Sequence, residues 1–149
     1  MKDEPSKLVI HAWVRLMKAQ QVVLDRIEDA LKSAALPPLS WYDVLLELER
    51  SGDRGLRPFE LQREMLLAQY NLSRLLDRME DAGHLSRRRC ADDGRGQIVV
   101  ITKSGKRLRR RMWPVYAAAI RDAVGNHLTE KEARSLDLLL GKLLAATID

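Results

Sequence analysis

A mainly α, α+β fold is what this chain of 149 residues predicts, and three observations predict it. Apolar residues recur every three or four positions over most of the length, the period of a helix with one buried face. The period changes to two only around one turn-rich segment, Ala91 to Gly96. A single Phe among 46% hydrophobic residues leaves the core mainly to aliphatic side chains and Met, a composition that favours packed helices.

The elements follow in order. From Lys7 to Ala35, Ile10, Val14, Met17, Leu24 and Leu31 repeat at helical spacing, and Trp13, Leu16, Val23 and Ile27 widen the stripe. So long and broad a stripe needs more than one partner surface, which points to a subunit interface. Pro37-Pro38 ends it. Ser40 and Asp43 have the spacing of a capping box for a helix from Trp41 to about Arg50, and Ser51-Gly52-Asp53 with Gly55 stops that helix. Pro58 suits the first position of a short helix reaching about Leu66. After a break near Leu67-Ala68, another helix runs from about Gln69 to Ala82, with Gly83 as its stop. Leu85 to Cys90 and Gln97 to Ile101 read as two strands of a hairpin. Thr102 can cap the next helix, which reaches about Asn126 and carries Pro114 as an expected kink. Thr129 and Glu132 cap a last helix, to Ala146, expected to bury Leu136, Leu139, Leu140, Leu143 and Leu144.

Two short helices about a tight turn, followed by a basic hairpin, make a winged helix-turn-helix lobe with a two-stranded wing. The expected organisation is one domain over 1–149. It has a winged lobe at 40–101, and N- and C-terminal dimerisation helices at 7–35 and 102–146.

Charge narrows the function. Between His84 and Arg111 ten Lys or Arg stand against two acids, so that stretch is +8 in a chain of net charge +5, and the remainder is −3. A positive stripe on a mildly acidic body suits an anionic partner such as duplex DNA. Cys90 is the one cysteine, which excludes an intrachain disulfide or a Cys-only metal site. It reads as a small strand residue more readily than as a redox switch. His11, His84 and His127 are scattered without acids at ligand spacing, so neither a metal nor a cofactor is expected. The sequence lacks a phosphate-binding glycine loop, a zincin helix and a nucleophile elbow, and no enzyme is expected. The first residues lack a signal-peptide core and no apolar run spans a bilayer, so the cytoplasm is the expected compartment and no membrane the expected partner.

On the helix from Gln69, a spacing of 100° per residue puts Leu72, Leu75, Leu76 and Met79 on one face. The other face presents Tyr70, Ser73, Arg74 and Asp77, flanked by Gln69, Asn71 and Arg78. Gln and Asn can pair with adenine edges, Arg with guanine, and Ser with a base or a phosphate. Arg95 at the hairpin tip is placed for a minor groove, with Asp93 to orient it, and Arg87 and Arg89 share one strand face beside flanking phosphates. A winged lobe that binds another protein, its basic residues serving solubility, is the competing reading.

The run Leu72-Ser73-Arg74-Leu75-Leu76-Asp77-Arg78-Met79-Glu80 leads to Gly83, then to Asp93-Gly94-Arg95-Gly96, Val100-Ile101-Thr102 and Gly105. With the tail from Leu128-Thr129 through Glu132 to Lys142-Leu143, it resembles the MarR family of transcriptional regulators. The resemblance implies an obligate homodimer formed by the first and last two helices, with two recognition helices on a pseudo-palindromic operator; a repressor is the expected role. It also implies a small-molecule cleft between the dimerisation helices and the DNA-binding lobe. Trp13, Trp41 and Tyr42, with His11 or Arg15, are the candidates for lining such a cleft, and their chemistry suits an aromatic acid. Ala68 stands where family members usually carry a capping Ser or Thr, which predicts a recognition helix whose start lacks that cap.

Overall fold

The computed structural model describes residues 3–68, 71–89 and 96–146. Its elements run α1 (Lys7–Ser33), α2 (Leu39–Ser51), a 3₁₀ turn (Gly52–Arg54), α3 (Pro58–Glu64) and α4 (Leu72–Asp81). The strands β1 (Leu85–Arg89) and β2 (Gln97–Ile101) follow, then α5 (Lys103–Ala123), a second 3₁₀ turn (Gly125–His127) and α6 (Glu130–Ala145). The chain divides into two compact units: a winged unit, Leu31–Val115, and a terminal unit, Met1–Ala30 with Tyr116–Asp149.

The winged unit holds a closed core. Leu31, Leu45, Leu48, Leu61, Met79 and Met112 are fully buried in it. β1 and β2 pair antiparallel, Leu85 opposite Ile101 and Arg89 opposite Gln97. Leu56 adds an isolated antiparallel bridge to Val99 on the other edge of β2, which ties the segment before α3 to the wing. Gly83 ends the α4 region with φ of 82°, a left-handed turn that suits glycine, as its place in the sequence predicts. Thr102 works at both junctions here: its hydroxyl donates to the Gly83 carbonyl (2.6 Å) and accepts from the Gly105 N–H (3.1 Å) at the start of α5.

Several boundaries differ from the sequence reading, each for a local reason. α2 begins at Leu39, with Pro38 at its N-cap and no side-chain cap. Ser40 and Asp43 therefore lie inside the helix, and the expected capping box does not form. α3 stops at Glu64, two residues early, because Met65 turns to extended backbone (ψ 141°). The described part of α4 begins at Leu72, with Asn71 at its N-cap. α5 runs unbroken through Pro114 but ends at Ala123.

In the terminal unit the Thr129–Glu132 capping box forms as expected. The Thr129 hydroxyl accepts from the Glu132 N–H (3.1 Å), and Glu132 accepts from the Thr129 N–H (3.0 Å). The expected burial of the α6 leucines does not hold within one chain. Leu136, Leu139, Leu143 and Leu144 are exposed and Leu140 is half-buried. Along α1, Leu8, Trp13, Met17 and Val22 are exposed as well. A helical stripe records that a face is apolar, and it leaves open which molecule covers that face.

Among the described residues no helix is long and apolar enough to cross a membrane, and no group of three or more His, Cys, Asp or Glu could hold a metal.

Candidate nucleic-acid interface

α4 separates its two faces cleanly. Leu72, Leu75, Leu76 and Met79 are buried, whereas Asn71, Ser73, Arg74, Asp77, Arg78 and Glu80 are exposed. The apolar face that the 100° spacing assigned to packing is the one that packs. Its first turn adds free N–H groups and the positive end of the helix dipole, both suited to a nearby anion. No side-chain hydrogen bond caps this start. Gln69 and Tyr70 lie outside the described residues.

The wing adds a second cationic element beside this helix. Alternation along β1 puts Leu85, Arg87 and Arg89 on one face, opposite Ile101, Val99 and Gln97. Leu85, Val99 and Ile101 are buried, so Arg87 enters the lobe on its inner side. There it donates to Asp77 of α4 (2.6 Å), with Glu80 3.8 Å from its Nε. Arg87 thus braces the wing against α4. Its Nε is buried with no hydrogen-bond partner among the described residues. Arg89, one pleat further on, is exposed. Arg88 points the other way and donates to the carbonyls of Asp53 (2.7 Å) and Arg54 (3.4 Å). Asp93, Arg95 and Cys90 fall outside the described residues. A depression of about 450 Å³ brings together Phe59 of α3, Asn71 and Ser73 of α4, and Arg87 and Gln97 of the wing.

The candidates for ligand contact are divided. Trp41 and Tyr42 belong to the winged unit; His11, Trp13 and Arg15 are exposed in the terminal unit. Trp41 sets its edge against His84, with 5.9 Å between ring centroids. Tyr42 is buried, stacks on Trp113 at 6.1 Å and accepts from Arg109 (3.4 Å). Arg109 also pairs with Glu49. Burial alone would lower the Arg109 pKa, but the bonds to Glu49 and Tyr42 hold it above its ordinary value. His84, bonded to the Ser104 hydroxyl (3.0 Å), is lowered by burial and then by the charge of Arg111, which favours the neutral ring.

Sequence reasoning missed the tertiary role of one residue beside this surface, Asp43. Its carboxylate is buried at 5% exposure and accepts from the backbone N–H groups of Leu66 and Leu67, both at 2.9 Å. An acid inside the apolar run Leu39 to Leu48 was the available signal, because a buried carboxylate requires partners.

Residues 36–96 match the sequence model of the MarR family. The fold is similar, at TM-score 0.86 and 28% identity, to Sco3205 of Streptomyces coelicolor, a MarR family transcriptional regulator solved in complex with DNA. That match covers 99% of this chain and 94% of the other. A variant of MarR from E. coli complexed with operator DNA gives TM-score 0.79 at 22% identity over 95% and 99% of the two chains, a likeness of fold. The MarR family protein Rv2887 of Mycobacterium tuberculosis, complexed with salicylic acid, gives TM-score 0.66 at 25% identity over 96% and 99%. No curated protein sequence matches significantly. The fold and the α4–wing arrangement define a winged helix-turn-helix protein. The similarity to MarR family transcriptional regulators therefore covers residues 36–96 in sequence and nearly the whole chain in fold.

Proposed function

We propose that the protein acts in the cytoplasm as a homodimeric repressor that reads a pseudo-palindromic operator, and that a small aromatic acid lowers its affinity for DNA. One observation carries the reading: α4 buries Leu72, Leu75, Leu76 and Met79 while Asn71, Ser73, Arg74 and Arg78 remain exposed at its opposite face. Side chains of these types, at the start of a helix, are those that pair with base edges and phosphates in a major groove. Gln69 and Tyr70 extend that surface in sequence. Arg89 supplies the wing's phosphate contact, and Arg95, oriented by Asp93, enters the adjacent minor groove. Arg87 acts chiefly by bracing Asp77.

Two related structures hold DNA and a third holds salicylic acid, which supports both halves of the proposal. His11, Trp13, Arg15, Trp41 and Tyr42 are the side chains proposed to serve the effector. An effector that prefers a dimer with misplaced recognition helices reduces operator affinity by linkage.

Selection of duplexes from a random pool, followed by a salt titration of the winners, tests the reading. Two symmetric helices require half-sites about 34 Å apart. Each phosphate neutralised adds about −0.9 to the slope of log affinity against log salt. No enriched motif together with a flat slope would instead mark a winged-helix module for a protein partner.

A further inference from the structure

A charge is rarely buried without purpose, and the winged unit buries Asp43 of α2 at 5% exposure. Its two oxygens accept from consecutive peptide groups: Oδ1 from the Leu66 N–H and Oδ2 from the Leu67 N–H, each at 2.9 Å. Those groups follow Met65, where α3 ends in extended backbone, and precede Asn71, the N-cap of α4. Leu66 itself is 69% exposed, so the turn lies at the surface and not in the core. Withdrawing a carboxylate from water costs several kcal/mol, offset here by two charge-assisted bonds, so net stability is a poor explanation for the arrangement. Geometry is a better one. A planar carboxylate that grips successive peptide units fixes the orientation of both, and with it the direction in which the chain leaves α3. The grip has a firm base, because the preceding residue, Tyr42, is held by Trp113 and Arg109 of α5.

We propose that Asp43 is a positioning residue: its carboxylate locks the turn between α3 and α4 and so sets the angle at which Ser73 and Arg74 meet DNA. The role rests on the DNA-binding reading given above. Without the lock, the turn is ordered only when DNA binds, and the cost appears as lost operator affinity.

Asp43→Asn tests it, since the amide keeps the shape but turns an N–H donor toward one of the two backbone donors. Two readouts are needed: amide hydrogen exchange residue by residue, and affinity for both a duplex selected by the wild type and an unrelated duplex. Losing one bond to a charged acceptor predicts roughly ten-fold faster exchange at Leu66 and Leu67, with α5 unchanged. Affinity for the selected duplex falls about ten-fold, and affinity for the unrelated duplex falls less. A general loss of stability would speed exchange everywhere and lower both affinities together, and that result overturns the proposal.

A variant that binds the selected duplex like the wild type also removes Asp43 from the role, while leaving the DNA reading intact. A wild type that selects no duplex sinks the DNA reading, and the positioning role with it. If the variant does not fold, the wild type alone decides. Leu66 and Leu67 amides that exchange as slowly as those inside α3 support the lock, and exchange at the rate of a free peptide overturns it.

Discussion

The two compact units divide the apolar residues unequally. Of the nineteen buried hydrophobic residues among those described, the winged unit holds all but Ile27 and Ala119. Of the sixteen exposed large hydrophobics among the described residues, the terminal unit holds all but Phe59, Leu66 and Trp113. Both units are built from helices with broad apolar stripes, so composition does not separate them. What separates them is closure: the winged unit folds α2, α3, α4 and the hairpin onto one another, whereas α1 and α6 carry more apolar surface than one chain covers. An apolar helix face left open by its own chain suits a partner surface. On the proposed reading a second copy covers it.

That comparison can be broken first at the core of the winged unit. Met79 is fully buried on the inner face of α4, so Met79→Ala should cost about 2–5 kcal/mol of stability by lost burial and a residual cavity. Thermal unfolding at fixed protein concentration measures it, and an unchanged midpoint would contradict the closed core. Gly105→Ala attacks the same unit from its backbone. The added methyl would meet the His84 carbonyl oxygen, which cannot move aside as a side chain could, and a cost of about 1–3 kcal/mol is expected from the same melt.

The terminal unit should respond differently. Leu139 is 59% exposed in one chain, so Leu139→Glu would be nearly neutral for a monomer. Buried between two copies, the same charge should weaken the dimer by about 2 kcal/mol or more. Sedimentation velocity across a dilution series reads this directly. A mass that matches the wild type at every concentration would place the dimer contact elsewhere. At the interface of the winged unit, Arg74→Ala should reduce affinity for a selected duplex by about 1–3 kcal/mol without altering the melt. Unchanged fluorescence anisotropy would take Arg74 out of the site.

The smallest effect concerns the α6 cap. Hydrogen bonds donated by the Thr129 N–H and by its hydroxyl hold the Glu132 carboxyl below its usual 4.5. The unfolded chain therefore binds more protons through that interval. The contribution is complete above the ordinary carboxylate range and fades as pH falls through the lowered value. Glu132→Gln should flatten this decline in urea midpoints taken at neutral pH and at about pH 3.5. Identical acid slopes in the two proteins would deny the cap any part in it.

How much of this could be read from residues alone depends on the distance over which each feature is decided. The helix stop at Gly83, the Thr129–Glu132 box and the two faces of α4 rest on spacings of a few residues, and the sequence specifies them. Arg87 and Asp43 show the limit. Alternation put Arg87 on a strand face with Arg89, but only the packing of β1 on α4 turned that face inward and committed Arg87 to Asp77, ten residues back. Asp43 had the local spacing of a cap. Once Pro38 started the helix earlier, its carboxylate turned toward amides more than twenty residues away. The α6 leucines mark a third kind of limit, because periodicity reports an apolar face without saying whether the same chain buries it.

By itself, then, the sequence determined the helices, the hairpin, the basic segment and the two faces of α4, since backbone geometry repeats over short intervals that residue order encodes directly. Only tertiary structure decided which charges are spent on internal bonds, Arg87 on Asp77 and Asp43 on the turn, and which remain exposed, such as Arg74 and Arg89. Those outcomes depend on which surfaces meet when elements distant in the chain pack together, and no local spacing carries that information.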